Sequence, residues 1–417
     1  MLSLLLIFAF TLILYRKWIR QLWQTEPPEV QYPATILEQE LGSLKAPPAP
    51  TPQNSSMISA FKPGIPNPPG YNYTKTIVVP KLKITDTSWL DEELPDVPKA
   101  IYVVDDEHAP LHPPKNKGRE AMVYLSYIVD FYDSLPDISI FIHAHRWAWH
   151  NNDLLDKDTA MVIRYLNPER VIREGYMNLR CHWYPGCPEW LKTHAMEKDP
   201  EKEEEVLVAG AWKELFPTEP MPDVLAQPCC SQFALSRERI RALPRDEYER
   251  LRLWLLSTEL ENSMSGRIFE YVWQWIWAGQ SVICPSMHEC YCDGFAACFD
   301  SDDEFKRWLE MRYYLREDDS NLIKWQIRSD AYAFYTARGD MDEANRVERL
   351  GEEQMRDFRL GMDERWFELA EKREAAFANG RDGQKRAQIM ENIRNGNHGD
   401  ASVNMDGTIW SSRPLRP

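Results

Sequence analysis

NKGREAMVYLSYIVDFYDSLPDISIFIHAHRWAWH, residues 116–150, is the stretch that decides the fold class of this chain. After a polar start, apolar residues recur at helical spacing over 123–131, and Leu-Pro-Asp at 135–137 ends that predicted helix. Isoleucines at 138, 140 and 142 then alternate as in a buried strand, which runs into a polar cluster beginning at His143. Ligands of open α/β sheets bind outside the carboxyl ends of strands, so this cluster is the first candidate for a functional site.

The segments before this stretch extend the same pattern. Short apolar runs at 77–79 and 100–104 predict two further strands, and a helix capped by Thr87 or Ser88 lies between them. The order strand, helix, strand, loop, helix, strand is typical of βαβ units. We therefore predict an α/β fold, in which a mostly parallel single sheet of Rossmann-like type is flanked by helices and followed by a C-terminal amphipathic helical extension.

Composition narrows the class of protein. Of the 417 residues, 43% are hydrophobic and 12% aromatic, which supplies enough apolar material for a packed core and is untypical of a disordered chain. Asp and Glu outnumber Lys and Arg by 65 to 49, a formal net charge of -16, so the chain lacks the basic footprint that phosphate backbones require. We expect no nucleic-acid partner.

Changes in composition along the chain predict five segments. Residues 1–23 form a membrane anchor or signal segment, and 24–75 form a proline-rich linker. Residues 76–300 form the α/β domain that would carry catalysis, and 301–379 form a charge-rich helical extension with apolar residues at helical spacing. The polar stretch 380–417, rich in Gly and Asn, is predicted to be disordered.

The amino terminus is apolar from Leu2 to Tyr15 except at Thr11. A helix of that length spans about 20 Å at about 1.5 Å per residue, and a bilayer core measures roughly 30 Å. The tryptophans and snorkelling basic residues that follow would extend the span. The sequence therefore predicts a single-pass membrane protein, with a cleaved signal peptide as the alternative.

Two signals bear on which side of the membrane holds the main body. The basic residues that follow the apolar run favour the cytosol. The glycosylation sequons at Asn54 and Asn72, together with eight cysteines at short spacings, favour an oxidising lumen. We predict the lumenal side of the endoplasmic reticulum or Golgi, and the cytosolic orientation stays open.

The cysteines are predicted to form disulfides in that compartment. Their connectivity does not follow from spacing, although Cys181 and Cys187 enclose a turn-forming segment that a local disulfide would close. The alternative is a zinc site in the cluster at 284–292, where three cysteines accompany His288. The candidates for disulfide pairing are Cys181, Cys187, Cys229, Cys230, Cys284, Cys290, Cys292 and Cys298.

A helix predicted over residues 265–277 carries a second candidate site. Arg267 and Glu270 lie three residues apart and share a face, and the aromatic residues around Glu270 predict that its carboxylate is partly buried. A buried carboxylate needs a partner or a raised pKa, and perturbed pKa values cluster at functional sites. The alternative is a structural ion pair between Glu270 and Arg267.

The polar cluster after the buried strand offers metal ligands or phosphate contacts. His143 and His145 are candidate ligands of a divalent metal, but alternate residues of a strand point to opposite sides, so one ion would bind both only at a kink. The alternative is that one of these imidazoles, with Arg146, binds a diphosphate without metal. Asp105 and Asp106, after an earlier strand, are a second candidate for binding a metal or a ribose, with a solvated loop as the alternative.

Several segments together resemble a family of domains of unknown function that is widespread in filamentous fungi. They cover about residues 76–298 and include NKGREAMVYLSYIVDFYDSLPD, IFIHAHR, CCSQFALSRERI, SGRIFEYVWQ and CPSMHECYC. The Gly-Arg-Glu helix start, the strand ending in a polar cluster and the aromatic helix with Arg and Glu are more distantly similar to glycosyltransferases of the single-sheet GT-A type. The chain departs from that type at 143–145, where His-Ala-His stands in the place of the Asp-x-Asp that holds a divalent ion on the donor.

This second resemblance implies the inverting transfer of a sugar from a nucleotide donor to a hydroxyl acceptor, in the secretory pathway or a secondary-metabolite pathway. Glu270 would act as general base, an arginine such as Arg267 would offset the charge of the leaving diphosphate, and Mn or Mg would be the cofactor. The predicted substrate-binding residues are Asn116, Arg119, Glu120, Arg146, Gln232 and Trp273.

Other interpretations of these residues stay open. Trp147, Trp149 and the tryptophans of the aromatic helix are candidates for stacking on a sugar or a polyketide-like acceptor, and the alternative for the helix is burial in the core. The chain as a whole is alternatively a metal-dependent tailoring enzyme, hydrolytic or oxidative. A third possibility is a non-catalytic interaction protein tethered to the membrane.

Overall fold

A computed structural model of the chain describes residues 61–395, apart from residues 189, 196, 198, 200 and 201. The chain divides into two compact units after Cys290. The boundary predicted at residue 300 therefore lies earlier, within a helix, Met287–Phe295. The predicted membrane anchor and most of the predicted linker lie outside the described residues.

The strands of the described chain all belong to the first unit. In chain order they are β1 (Lys75–Lys81), β2 (Lys99–Val103), β3 (Ile138–Phe141), β4 (Tyr176–Asn178), β5 (Leu191–Lys192), β6 (Val224–Leu225) and β7 (Phe233–Ser236). The main sheet has the order β2-β1-β3-β7-β4, and β5 and β6 form a separate two-stranded sheet.

The main sheet is mixed, which corrects the prediction of a mostly parallel single sheet. β1 pairs in parallel with β2 and β3, whereas β7 pairs antiparallel with both β3 and β4. Half of the strand pairings are thus antiparallel. The reason is that β7 lies between β3 and β4 and runs in the opposite direction to both. Only a parallel neighbour requires a crossover connection, so a βαβ pattern does not describe this strand.

Helices accompany this sheet in the first unit, and the last of them, Met287–Phe295, crosses the boundary at Cys290. In chain order the α-helices are α1 (Trp89–Glu93), α2 (Glu120–Phe131), α3 (Thr159–Tyr165), α4 (Pro168–Glu174), α5 (Glu205–Leu215), α6 (Arg237–Arg241), α7 (Arg245–Ser257), α8 (Asn262–Ala278) and α9 (Met287–Phe295). Two single-turn 3-10 helices lie at Tyr132–Ser134 and Asp153–Leu155.

The core of the first unit lies between the sheet and helices α2, α7 and α8. Helix α2 is buried along residues 121–129, which explains why its apolar pattern extends around most of the helix rather than along one stripe. Phe233 of β7 packs against Trp273 of α8 at 5.4 Å between ring centroids, and Trp277 stacks on Tyr248 at 5.5 Å. Burying aromatic rings of this size contributes roughly 1.5–3 kcal/mol each, so this cluster supplies much of the packing energy.

All eight cysteines are paired, as predicted, but Cys181 and Cys187 are not bonded to each other. The bonds are Cys181–Cys290, Cys187–Cys284, Cys229–Cys230 and Cys292–Cys298. The local Cys181–Cys187 disulfide is therefore wrong, because both residues pair with the distant 284–290 segment. The alternative zinc site with His288 is also wrong, since its three cysteine sulfurs are consumed by disulfides.

The second unit is helical in its described part. Its helices are α10 (Asp302–Ala337), α11 (Met341–Arg346), α12 (Glu352–Arg381) and α13 (Gly383–Arg394). Ser301 caps α10 by accepting from the amide of Glu304 at 3.2 Å. The tail predicted to be disordered from residue 380 is helical up to residue 394, because Asp382 caps α13 and Ile389 and Met390 are buried; residues 396–417 lie outside the described part.

The described residues bear on localisation in three ways. No helix among them is both long and apolar enough to cross a bilayer, and the apolar run at 2–15 is not among them. Asn72, the second predicted glycosylation site, is exposed, whereas Asn54 lies outside the described residues. The four disulfides are compatible with a secreted or lumenal protein.

Candidate functional site

The carboxyl end of β3 meets the amino end of β7, because these strands pair antiparallel with Phe141 opposite Phe233. The amide of His143 donates to Oε1 of Gln232 at 3.2 Å, so the two segments are joined just beyond the sheet. The chain leaves β1 for β2 on one side and returns to β3 on the other, which makes this edge the topological switch point of the sheet. Ligands of open α/β sheets bind at such points.

Glu270 of α8 is half-buried at this edge, beside the turn that leads into β7. Its Oε1 accepts a hydrogen bond from the backbone amide of Cys230 at 2.6 Å. Burial raises the pKa of Glu270 to about 7, against the lowering effect of that amide, and the nearby carboxylates of Glu120 and Glu204 raise it further. A carboxyl group with this pKa can accept and release a proton near neutral pH.

Arg267 does not form the predicted ion pair with Glu270. Its Nη1 donates to Oε2 of Glu204 at 2.9 Å, and the hydroxyl of Tyr271 donates to Oε1 of the same carboxylate at 2.7 Å. The side chain of Glu204 is 1% exposed, so it needs both donors to compensate for its burial. Arg267 itself is 40% exposed and remains accessible beside Glu270.

Glu120, His143 and His150 form a second group at the same edge. Glu120 opens α2, and its Oε1 lies 3.8 Å from Nε2 of His143, whose ring centroid is 4.7 Å from that of His150. Within the described part of the chain, Nε2 of neither histidine has a hydrogen-bond partner, and both atoms are buried. Burial holds the pKa of His150 well below its usual range, so its imidazole is neutral.

The structure separates the two histidines that were predicted to share a metal. His145 is exposed, whereas His143 is half-buried toward Glu120, as expected for alternate positions of an extended segment. Among the described residues, one group of three His, Cys, Asp or Glu side chains has its ligand atoms within 4.8 Å of one another, and it consists of Cys229, Cys230 and Glu270. Because those two sulfurs are joined in a disulfide, this group does not fit a metal either.

Asp105 and Asp106 are held by the loop that follows β1. Oδ1 of Asp105 accepts from the amide of Lys83 at 2.7 Å, and Oδ2 of Asp106 lies 2.8 Å from Nζ of Lys83. The Lys83 ammonium and the amide of His108 lower the pKa of Asp106. Both carboxylates are thus part of the loop structure, and their role in binding a metal or a ribose stays a prediction.

Two predicted substrate contacts are structural instead. Arg146 forms an ion pair with Glu93 at 2.6 Å and a bidentate pair with Asp158, so its guanidinium is already shared between two carboxylates. Trp273 is 0% exposed, and its Nε1 donates to Oγ of Ser231 at 3.2 Å. Trp273 therefore belongs to the core and offers no face to a ligand.

The loop before α2 does lie at the same rim, as predicted. Asn116 and Arg119 are exposed, and the amide of Arg119 donates to Oδ1 of Asn262 at 2.9 Å, which joins this loop to the start of α8. The stem of Arg119 packs against Gly266, where an added Cβ would lie 3.1 Å from it. Gly266 is one helical turn before Glu270, so Arg119 lies beside the face that carries this carboxylate.

Glu204, His150 and Cys230 are the residues of this site that sequence reasoning missed. Glu204 stands in the run Glu-Lys-Glu-Glu-Glu at 201–205, which has the composition of a solvated surface. Its partner Arg267 is 63 residues away, and no local spacing reports such a contact. Cys230 contributes its backbone amide, for which a sequence gives no signal.

Comparisons with known proteins identify a family but no characterised relative. A family model described as "Protein of unknown function (DUF3431)" matches residues 77–293. This confirms the resemblance to a family of unknown function over nearly the predicted span. No curated protein and no solved structure matches the chain, so the likeness to GT-A glycosyltransferases stays a prediction.

Proposed function

The chain belongs to the DUF3431 family, whose function is unknown, and we propose that it is a transferase that moves a sugar from a nucleotide donor to a hydroxyl acceptor. The observation that carries this proposal is Glu270, a half-buried carboxyl group with a pKa of about 7 at the switch point of the sheet. Enzymes that activate a hydroxyl nucleophile near neutral pH need such a base.

Glu270 acts as the general base in this mechanism. Its ionised carboxylate takes the proton of the acceptor hydroxyl while that oxygen attacks the anomeric carbon and the bond to the donor diphosphate breaks. The amide of Cys230 fixes the orientation of the carboxylate through its 2.6 Å hydrogen bond. Attack opposite the leaving group inverts the anomeric configuration.

Two arginines are placed to offset the negative charge that gathers on the leaving diphosphate. Arg119 is exposed and its stem lies one turn before Glu270, on Gly266. Arg267 is 40% exposed and follows Gly266 directly, three residues before Glu270 on the same helix. Guanidinium groups bind phosphate oxygens in a bidentate manner. Arg146 suits this role less, because its donors serve two carboxylates, Glu93 and Asp158, whereas Arg267 donates to Glu204 and stays 40% exposed.

Exposed indoles offer a surface for the acceptor. Trp147 and Trp149, on the loop after β3, are 48% and 41% exposed. The guanidinium of Arg146 lies 4.4 Å from the ring centroid of Trp147 and covers one face, so the indole is held in place by a group that is itself anchored. A preorganised aromatic face of this kind suits stacking on a sugar or an aromatic acceptor.

The steps proposed here are written without a divalent metal, because His143 and His145, which were predicted to hold it, do not converge. The donor's diphosphate is instead bound by side chains, and Mn²⁺ enters the experiment as a variable. His143 lies beside both Glu120 and His150, and these three groups would need to move closer to share one ion.

The test is calorimetric and thermal-shift titration of the full chain, folded under oxidising conditions, against UDP-sugars and GDP-sugars with and without Mn²⁺. We expect one donor to stabilise the protein and to be turned over in the presence of hydroxyl acceptors. Glu270→Gln should bind that donor and lose transfer, whereas Glu249→Gln, on the exposed side of α7, should keep both.

Three outcomes would replace the proposal. Transfer that survives in Glu270→Gln removes the assigned base. Stoichiometric metal binding that is lost in His143→Ala, without stabilisation by any donor, would indicate a metal-dependent hydrolytic or oxidative enzyme. No binding of any donor and no binding of metal would indicate a non-catalytic interaction protein.

A further inference from the structure

The turn that leads into β7 contains a disulfide between adjacent residues, Cys229 and Cys230. Both sulfurs lie within 4.8 Å of a carboxylate oxygen of Glu270, and the amide of Cys230 donates to that carboxylate at 2.6 Å. The disulfide and the candidate base are therefore direct neighbours.

The backbone of this turn has an unusual conformation for its residues. Cys230 has φ +87° and Ser231 has φ +49°, in the left-handed region that residues with a Cβ adopt infrequently. Such a conformation persists only where surrounding structure determines it. Here it aims the amide of Cys230 at Glu270.

Hydrogen bonds fix both ends of the turn, and at its centre the Cys230 amide bonds to Glu270. On one side the amide of Cys229 donates to the carbonyl of Pro185 at 3.1 Å. On the other side Oγ of Ser231 accepts from the indole of Trp273 at 3.2 Å. Between these anchors, the covalent bond between the two cysteine side chains adds a restraint on the direction of the Cys230 amide, beside its own hydrogen bond to Glu270.

The geometry points to a redox-sensitive positioning element: the Cys229–Cys230 disulfide holds the Cys230 amide on Glu270, and opening it by a dithiol releases the carboxylate from its catalytic orientation. The effect on transfer rests on the proposed function, whereas the effect on Glu270 does not. Cys229 and Cys230 act through Glu270 and are positioning residues.

The reaction is an ordinary thiol–disulfide exchange. A thiolate of the dithiol attacks Cys230 Sγ, the bond to Cys229 breaks, and Cys229 leaves as a thiolate that takes up a proton. The second thiol of the reagent then displaces Cys230, so the reagent becomes a cyclic disulfide and two electrons and two protons reside on the cysteine pair. Because the two thiols stay adjacent, an oxidant can close the bond again.

Exposure predicts that this bond opens before the other three. Cys230 is half-buried, whereas the other seven cysteines are buried, between 0% and 7% exposed. An attacking thiolate must reach a sulfur along the S–S axis, so access limits the rate. Because Cys230 is the less buried partner of this bond, we expect the attack there.

The experiment treats the full chain with increasing dithiothreitol, caps the free thiols and maps them by mass spectrometry. In parallel, the carboxyl signal of Glu270 is titrated by ¹³C NMR and assigned with Glu270→Gln. We expect Cys229 and Cys230 to be capped first, the pKa of Glu270 to rise because it loses the amide that lowers it, and transfer to fall at least tenfold until the bond is reoxidised.

Two variants separate this role from general stability. Cys229→Ser/Cys230→Ser should show the raised Glu270 pKa without reductant and no further change with it. Cys292→Ser/Cys298→Ser, which removes the disulfide of the second unit, should leave the Glu270 titration unchanged. Earlier opening of another disulfide, or an unchanged Glu270 titration after Cys229–Cys230 opens, would overturn the inference. A Glu270 response without any transferase activity would instead overturn the proposed function alone.

Discussion

Arg267 donates its hydrogen bond to Glu204 at 2.9 Å and not to Glu270, although Glu270 lies only three residues further along the same helix. The cation nearest in sequence is thereby committed to a carboxylate that is 1% exposed. Glu270 keeps a raised pKa because the effect of burial is offset only by the Cys230 amide and by the charge of Arg267. Glu204 is therefore the partner of Arg267, and Glu270 is the carboxyl group that titrates near neutral pH.

The transfer rate should depend on the ionisation of Glu270. Because a general base works only when deprotonated, kcat/KM should rise with pH through about 7 and level off above it. The measurement is a pH profile with the donor identified by titration. A profile that is flat from about pH 5 to about pH 8 contradicts the assignment, since an unperturbed glutamate has a pKa near 4.5.

Replacing Glu270 by Gln should stabilise the fold at high pH. A folded-state pKa raised from 4.5 to about 7 means that the folded protein binds the proton more tightly than the unfolded chain, so the free energy of unfolding falls as pH rises across that window. The shift corresponds to roughly 3 kcal/mol at most, and partial solvation reduces it to about 1–2 kcal/mol.

Urea titrations of the wild type and Glu270→Gln at about pH 5 and about pH 8 measure this difference. The advantage of the Gln variant should be larger at the higher pH. An equal difference at both values would show that Glu270 is not perturbed in the folded state.

Replacement by alanine should lower the stability of the fold at Arg146 and weaken donor binding at Arg119. Arg146→Ala leaves the buried Asp158 unpaired, so the free energy of unfolding should fall by about 2–4 kcal/mol. Arg119→Ala removes an exposed side chain and should change stability by less than about 0.5 kcal/mol, while weakening donor binding about tenfold. Thermal unfolding measures the stability of both variants, and calorimetry measures their donor binding. Unchanged stability in Arg146→Ala would make Arg146 a candidate diphosphate ligand again.

Gly118 should not tolerate a side chain. It has φ +73°, and an added Cβ would lie 2.5 Å from Cδ2 of Leu255, so Gly118→Ala should cost about 1–3 kcal/mol of stability. Gly210→Ala, on the exposed side of α5 with no atom within 4 Å of the added Cβ, is the matched control and should stabilise by about 0.5–1 kcal/mol. Urea unfolding of the pair tests this, and equal effects would refute the steric argument.

Trp147→Ala should raise KM for the acceptor at least fivefold and leave donor affinity unchanged. The guanidinium of Arg146 covers one face of the exposed indole, so the opposite face is the one that would contact the acceptor. Leu253→Ala removes an apolar side chain that is 62% exposed on α7 and serves as the control. Initial-rate kinetics with varied acceptor give the answer. A lowered kcat with unchanged KM would place Trp147 outside the acceptor site.

Sequence reasoning succeeded where structure is local. The apolar spacing at 123–131 and the alternating isoleucines from 138 correspond to α2 and β3, because periodicity is a property of neighbouring residues. It failed at β7, four buried residues with no alternation, whose reversed direction is fixed by pairing with β3 and β4 far away in the chain. Strand direction is therefore invisible to a periodicity argument.

The candidate site shows the same limit. Glu270 was found because aromatic neighbours in sequence predict its burial, and burial is a major cause of its raised pKa. The partner of Arg267 was not found, because Glu204 reaches the site through the tertiary fold. His143 and His145 are neighbours in sequence but one is half-buried and the other exposed, which the alternation of an extended segment explains.

The bonds Cys181–Cys290 and Cys187–Cys284 are nested, with sequence separations of 109 and 97 residues. Each of these disulfides closes a covalent loop of the chain, and the smaller loop lies within the larger one. Both loops contain β7 and Glu270. A protease that nicks the exposed Pro217–Thr218 link would cut the chain without releasing a fragment, and the two pieces would still migrate as one molecule until the disulfides are reduced. The segment that carries the candidate base is therefore retained by topology even after its backbone is broken.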